Sequence, residues 1–348
     1  MFFLRASDLC RTDEKAGFSN RPGTMNDTST LPILGVDIGG TKVASGIVDH
    51  HGKILAQTRK PMSAHGTPES GMEAVASAID AMISTSGGGI QSIGVCAPGP
   101  LDPTTGVVLN PPNLPCWRNF PLAERIQQKY DVPVKVDNDA NAAALAETLW
   151  GAARGYRYVF YATIGTGIGT GIVFDNAIYH GHTGAAGEGG HLSIDYRGPV
   201  CGCGKRGCIE ILAAGPAIGA RARASIAEDP TRASALLSLA TGKVESVTSE
   251  LVGQAFSAGD PLAREVLSKT ADLLTVWFGN IVDLLDPDVL VVGGGVAAML
   301  RPFFDEMKQK LPAWCVNPRA SEIPLLMAHY GADAGIAGGA ALCFDTSA

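Results

Sequence analysis

The chain contains one strand-turn-strand pattern twice, and this duplication restricts the possible folds more than any other feature. The first copy runs from Ile33 to Asp49 and the second from Val159 to Asp175. Each copy has an apolar strand, a turn rich in Gly and Thr, a second apolar strand and a closing Asp. Such a pattern predicts a β-hairpin. Its repetition predicts that two related halves make up the protein.

Helical and strand patterns alternate after each hairpin, which favours an α/β fold. Residues 98–121 hold many prolines and little periodicity, so we predict a long functional loop there. Apolar spacing predicts helices at 70–84, 122–130, 141–150, 213–228, 261–285 and 335–342. Buried strands are expected at 93–97, 132–136 and 288–293.

The length of 348 residues exceeds the size at which a single core usually keeps growing, so we expect two domains. We draw a small N-terminal domain from residues 31–136 plus 333–348, and a large C-terminal domain from 137–332. Residues 1–30 lack periodicity and are expected to be a disordered extension, in which Met25 is an alternative start.

The charge balance bears on the class of partner. The formal net charge is −7 and no run of Lys and Arg occurs, which argues against binding to nucleic acid or to an anionic membrane. No apolar run reaches the ~20 residues of a membrane span, and charged residues interrupt the first residues before a signal peptide could form. We therefore expect a cytoplasmic protein that acts on small molecules.

One His and three Cys fall close together at His191, Cys201, Cys203 and Cys208. Zn²⁺ prefers four N and S ligands in a tetrahedron, and the intervening glycines allow the backbone to turn tightly. A closed set of this kind predicts a structural zinc in a loop at 191–208. A disulfide cluster or three buried thiols are the alternatives, but eight cysteines in the chain are few for a stapled secreted domain.

Glycine-rich turns occur at three places where phosphate could bind. Asp37-Ile-Gly39-Gly40-Thr41-Lys42 sets a carboxylate beside free N–H groups, which can hold phosphate oxygens while the carboxylate orients hydrated Mg²⁺. Gly165-Thr166-Gly167 is the corresponding turn of the second copy, and Gly293-Gly294-Gly295 follows a buried strand. One such turn is usually only a tight turn, but three of them favour a nucleotide site.

A polar cluster, Asp137-Asn138-Asp139-Ala140-Asn141, follows the strand predicted at 132–136. Helix capping alone could explain one of these residues. The carboxyl end of a strand is where open α/β folds bind ligands, and a carboxylate there can act as a general base. We predict a substrate site at this cluster.

From about Leu34 to its C-terminus the sequence resembles the ROK family of sugar kinases and sugar-responsive repressors. Four motifs carry the resemblance: Asp37-Ile-Gly-Gly-Thr-Lys42, Asn138-Asp-Ala-Asn141, Gly187-Glu-Gly-Gly-His191 and Cys201-Gly-Cys-Gly-x-x-Gly-Cys-x-Glu210. The last two are specific to the family, whereas the first belongs to a wider superfamily. The resemblance implies a duplicated ribonuclease-H-like (actin-like ATPase) fold with two domains and a central cleft.

The resemblance also implies roles for single residues. Asp139 would be the general base that activates a sugar hydroxyl for attack on the γ-phosphoryl group of ATP. The sugar contacts would come from Gly99, Asn113, Asn138, Glu188, His191 and Glu210. The phosphates and Mg²⁺ would be surrounded by Asp37, Gly39, Gly40, Thr41, Lys42, Thr166, Gly167, Gly294 and Gly295. One ring nitrogen of His191 would bind zinc and the other would face the sugar.

By this resemblance we predict a glucokinase that phosphorylates the 6-hydroxyl of glucose. Two alternative functions are also considered. Kinases of N-acetylmannosamine, N-acetylglucosamine or fructose share nearly every motif, and discrimination between hydroxyl groups depends on pocket geometry. A non-catalytic sugar-responsive regulator is disfavoured, because only about 30 residues without a helical pattern precede the first strand, too few for a helix-turn-helix module. ATP is the expected donor, and the resemblance implies a homodimer or a dimer of dimers.

Overall fold

The computed structural model describes residues 31–87 and 89–344. The predictions made for residues 1–30 and 345–348 lie outside the described residues. The strands are β1 Ile33–Ile38, β2 Lys42–Val48, β3 Ile54–Pro61, β4 Ser92–Ala97, β5 Leu101–Asp102, β6 Val107–Val108, β7 Phe120–Pro121, β8 Val134–Asn138, β9 Tyr158–Ile164, β10 Ile168–Phe174, β11 Ala177–Ile178, β12 Val289–Gly293 and β13 Leu325–Met327.

Helices and strands are interspersed along the chain, as the sequence predicted, but five helices run in succession between β11 and β12. The helices are α1 Pro68–Thr85, α2 Leu122–Tyr130, α3 Asp139–Leu149, α4 Ile209–Ala213, α5 Gly215–Glu228, α6 Ser234–Leu239, α7 Ser249–Ser257, α8 Pro261–Leu285, α9 Gly294–Leu300, α10 Phe304–Lys310 and α11 Ala334–Cys343. The longest, α8, begins at a cap in which Asp260 accepts a hydrogen bond from the amide of Ala263 at 2.8 Å.

Two five-stranded sheets repeat one topology, which confirms the duplication. The first has the order β3-β2-β1-β4-β8 and the second the order β11-β10-β9-β12-β13. In each sheet the first three strands are antiparallel neighbours and the last two join in parallel. The two predicted hairpins, β1–β2 and β9–β10, occupy equivalent positions.

Helices α3 and α11 pack against each other, and each of them also covers a sheet. Helix α11 lies on β1 and β4, while α3 lies on β9 and β10. The approach is close enough to require glycine: a Cβ at Gly94 of β4 would lie 1.7 Å from the carbonyl oxygen of Gly339. A Cβ at Gly171 of β10 would lie 2.6 Å from the carbonyl oxygen of Ala140. These contacts hold the N-terminus of α3 at a fixed position.

Three of the predicted elements differ in the structure, and the strands β3 and β13 and the helices α6, α7 and α10 were not predicted. Residues 98–121 are not one irregular loop, because β5, β6 and β7 form a small antiparallel sheet within them. The helix predicted at 213–228 is interrupted at Ala214, which is extended and separates α4 from α5. The strand predicted at 132–136 is shifted and runs from Val134 to Asn138, since Pro133 has no N–H to donate to a ladder.

None of the helices between residues 31 and 344 combines the length and the apolar composition that a membrane span requires. The domain boundaries drawn from the sequence remain a proposal.

Candidate active site

Asp139 is the first residue of α3 and follows directly after the carboxyl end of β8. Asn138 caps this helix, because its side-chain oxygen accepts a hydrogen bond from the amide of Ala140 at 2.9 Å. The same amide donates to the Asp139 carboxylate at 2.8 Å, which fixes its orientation. Since Asn138 already meets the need for a cap, capping does not account for Asp139.

The surroundings of Asp139 favour its neutral form more than water does. Its side chain is exposed to solvent, yet dense protein surrounds it on the other sides. This partial burial raises the pKa of Asp139 and the charge of Glu188 raises it further, whereas the amide of Ala140 lowers it. Because the carboxylate is exposed, solvent reduces this rise of the pKa. A carboxylate whose pKa is raised toward neutrality is a stronger general base.

A small cavity of about 200 Å³ opens in front of Asp139. Its walls come from the end of β8, from β10, from the loop after β4 and from the segment that precedes His191. They include four residues predicted to bind or activate a sugar: Gly99, Asn138, Asp139 and Glu188. Three other predicted sugar contacts, Asn113, His191 and Glu210, are not among its lining residues.

The first glycine turn places Asp37 at the end of β1. Burial raises the pKa of Asp37 to about 6 and the charge of Asp139 adds to the rise, while Lys42 and Arg59 lower it. A carboxylate whose pKa is raised by a second carboxylate nearby is a favourable place for a cation, and oxygen ligands are those Mg²⁺ prefers. The turn is tight, because the N–H of Gly39 donates to the carbonyl of Lys42 at 2.9 Å.

The rest of this turn is open on one side and packed on the other. Thr41 and Lys42 are exposed, so both can meet a ligand. Gly40 lies against the loop: a Cβ there would come within 2.8 Å of the carbonyl oxygen of Asn113. Asn113 therefore approaches the turn through its backbone.

The second glycine turn borders a larger cavity of about 1070 Å³. Gly165, Thr166 and Gly295 line it, as the sequence predicted for a nucleotide site, but Gly167 and Gly294 do not. Gly294 instead has a φ of +89° and packs on the carbonyl of Ile164. The remaining walls come from α5, α7 and α9 and were not predicted. Gly215 and Gly219, four residues apart on α5, are the one sequence signal for them, because small residues on one face leave room for a ligand.

The four predicted zinc ligands come together. Their ligand atoms all lie within 4.8 Å of one another. The Sγ atoms of Cys203 and Cys208 are 3.7 Å apart, and the Sγ of Cys201 is 3.7 Å from Nδ1 of His191. A tetrahedron with zinc–sulfur bonds of about 2.3 Å has edges of roughly 3.8 Å, so the spacing fits the ion. Every cysteine of the described residues is free, so the structure forms no disulfide among them.

Glu210 lies beside this cluster. One of its carboxylate oxygens is 3.9 Å from Nδ1 of His191 and 3.9 Å from Sγ of Cys201. The other accepts a hydrogen bond from the amide of Ile168 at 2.9 Å. Both His191 and Glu210 are partly exposed, so each can still present an atom to a ligand.

His180 contacts the candidate site through Asp137, although no sequence pattern predicted it. Its Nε2 is 2.6 Å from the buried carboxylate of Asp137, and this contact raises the pKa of His180. Asp137 also accepts hydrogen bonds from the amide of Asn138 at 2.7 Å and from Nδ2 of Asn141 at 3.1 Å. No local motif marks His180, because its partner lies 43 residues away.

Comparison with known proteins identifies the family of the chain. The ROK family model matches residues 33–346. The chain belongs to the ROK family. A glucokinase of Streptomyces coelicolor is 34% identical over 310 residues, which cover 89% of this chain and 96% of that protein. An N-acetylmannosamine kinase of Escherichia fergusonii is 33% identical and covers 90% of this chain and 98% of its own length.

A solved structure shows the same fold. The ROK family glucokinase of Streptomyces griseus, crystallised with glucose and AMPPNP, superposes with a TM-score of 0.76 at 33% identity. The match covers 89% of this chain and 98% of that one. The fold predicted by resemblance, that of the actin-like ATPases, is thereby confirmed, and the chain is an ATP-dependent sugar kinase.

Proposed function

We propose that this ROK family kinase transfers the γ-phosphoryl group of ATP to the 6-hydroxyl of glucose, with Asp139 as the general base. The observation that carries the proposal is the position of Asp139. It lies in the wall of the small cavity, beside Asn138 and Glu188, and is electrostatically coupled to Asp37. A sugar hydroxyl in that cavity would meet a carboxylate that can take its proton.

The protein's own contribution to such a transfer is alignment and charge. Phosphoryl transfer requires the attacking and leaving oxygens to lie roughly in line, and little covalent help is needed. Asp139 would accept the hydroxyl proton, while Asn138, Glu188 and the backbone of Gly99 orient the sugar. The turns at Asp37–Lys42 and Gly165–Gly167, with Gly294 and Gly295, would hold ATP.

Three proposed sugar contacts stand outside the small cavity. His191 and Glu210 adjoin the predicted zinc cluster, and Asn113 adjoins the first glycine turn. In the proposal these residues meet the sugar when the two halves close over it, as expected for kinases that must exclude water.

Two ions fit the residues present. Mg²⁺, carried with ATP and held by Asp37, would neutralise charge on the phosphates. The set His191, Cys201, Cys203 and Cys208 suits a structural zinc, because four ligands leave no open position for water. The zinc would fix the tautomer of His191, so that the free Nε2 faces the sugar.

N-acetylmannosamine is the second candidate substrate. The observation in its favour is the N-acetylmannosamine kinase relative, which is as similar to this chain as the glucokinases are. The small volume of the cavity supports a single sugar ring in either case, because typical ligand pockets hold about 300–1,000 Å³. Kinases of N-acetylglucosamine and fructose stay alternatives. A homodimer and a cytoplasmic location remain predictions.

A substrate panel tests the proposal. The full chain is assayed with ATP and Mg²⁺ against glucose, mannose, N-acetylglucosamine, N-acetylmannosamine and fructose, and kcat/KM is compared. We expect glucose to give the highest value. An N-acetyl sugar that exceeds glucose by orders of magnitude would replace the substrate assignment. Product analysis by NMR shows whether oxygen 6 carries the phosphate.

A further inference from the structure

One β-hairpin borders both cavities. Gly165 and Thr166, in the turn between β9 and β10, line the large cavity. Gly169 and Thr170, at the start of β10, line the small one. Ile168 stands between the two pairs and is buried. Ile168 therefore lies between the two proposed binding sites.

Both backbone groups of Ile168 face the segment that carries the zinc ligands. Its amide donates to Oε2 of Glu210 at 2.9 Å. Its carbonyl is covered by Gly190, where a Cβ would lie only 2.0 Å from the oxygen. Gly190 precedes the ligand His191, and Glu210 follows the ligand Cys208 by two residues. Both the amide and the carbonyl of Ile168 are therefore in contact with residues that flank the zinc ligands.

Glu210 also lies over the turn itself. A Cβ at Gly167 would approach Oε2 of Glu210 to 2.7 Å. The other end of the turn is fixed separately, because the amide of Gly215 donates to the carbonyl of Gly165 at 2.8 Å. Removing the Glu210 contact would therefore release the turn on one side only.

We propose that Glu210 is a positioning residue for the phosphate-binding turn, through its hydrogen bond to the amide of Ile168. The inference rests on the proposed function in one respect, that Gly165–Gly167 contacts ATP. It differs from the sugar contact expected for Glu210, because it predicts an effect on nucleotide binding when no sugar is present. The segment that holds the zinc ligands then supports the nucleotide site as well as the sugar site.

Two variants distinguish the effect of the length of the Glu210 side chain from the effect of its charge. Glu210→Gln keeps the length of the side chain and an oxygen that can accept from Ile168, but it removes the charge. Glu210→Asp keeps the charge and is one methylene shorter, so its carboxylate cannot occupy the same position. Glu245→Asp, at an exposed site, is the matched control. Metal content and thermal melting establish that each variant is folded and carries the metal found in the parent.

The measurement is the affinity for AMPPNP with Mg²⁺ in sugar-free protein, by calorimetry. We expect Glu210→Asp to bind about tenfold more weakly, as the loss of a hydrogen bond to a charged group implies, and Glu210→Gln to stay within about threefold of the parent. Equal affinity in all the proteins overturns the inference, and so does a loss confined to Glu210→Gln, which would indicate a charge effect. If the parent itself binds no AMPPNP, the proposed function fails instead.

Discussion

Nε2 of His180 lies 2.6 Å from the carboxylate of Asp137, and this contact joins two parts of the candidate active site. Asp137 belongs to β8, two residues before Asp139, whereas His180 begins the segment that leads to Glu188. Residues 183–188 of that segment line the small cavity. The pair therefore attaches one wall of the cavity to the strand that directly precedes the proposed base.

The His180–Asp137 pair predicts a pH-dependent stability. The pKa of His180 is raised in the folded protein, so the pair stabilises the fold fully below the ordinary His value and loses this contribution as pH rises through the raised pKa. We expect His180→Gln to lower the free energy of unfolding by about 1 kcal/mol at pH 6, since solvent screens a partly exposed pair. The difference should shrink at pH 9. Urea denaturation at both values measures it.

His182→Gln is the control for this variant, because His182 is exposed and lies two residues further along the same segment. A destabilisation equal at pH 6 and pH 9 would show that packing, and not the ion pair, is lost. Steady-state assays of His180→Gln should also show a raised KM for the sugar, since Glu188 lies at the end of the released segment.

Asp139→Asn should abolish most of the activity. Loss of a general base typically lowers the rate by 10²- to 10⁴-fold, and the amide keeps the size of the side chain. The fold should persist, because Asn138 and not Asp139 caps α3. The check is kcat together with the melting temperature. Asp305→Asn, which removes another carboxylate from the first turn of a helix, is the matched control and should keep full activity.

Asp37→Asn should make the protein more stable and less active. The raised pKa of about 6 means that the charged carboxylate costs stability at neutral pH, and that this cost disappears as pH falls through 6 toward the unfolded value. We expect a gain of about 1–3 kcal/mol at pH 7.5. The gain should fade by pH 4, in parallel urea titrations. A variant that is less stable at pH 7.5 would contradict this view of the site.

The duplicated hairpins and most helices could be predicted because their signals are local. Alternation and apolar spacing identify β1–β2, β9–β10 and α8 from a few neighbouring residues. The convergence of His191 with the three cysteines could also be predicted, since Cys201, Cys203 and Cys208 are close in sequence and have the spacing of a candidate metal site.

Contacts between distant segments could not be predicted in this way. The partner of His180 is on another strand, and the role of Ile168 depends on a backbone amide that no sequence pattern reveals. The small sheet of β5, β6 and β7 could not be predicted either, because two-residue strands are too short to show alternation. Such features follow from tertiary packing between segments that are distant in sequence.

Zinc removal should weaken sugar binding before it unfolds the protein. The proposed ion joins His191 to Cys201, Cys203 and Cys208, and Glu210 lies 3.9 Å from two of these ligands. We expect about one zinc per chain by elemental analysis. A chelator, or the Cys208→Ser variant, should raise KM for the sugar and lower the melting temperature, because the binding free energy of a structural metal is also folding free energy. Cys315→Ser, a change at a cysteine outside the cluster, should leave both unchanged.

A metal-free preparation with an unaltered KM and melting temperature would refute the zinc assignment. A lower melting temperature with an unaltered KM would show that the metal contributes only to stability and that His191 does not contact the sugar.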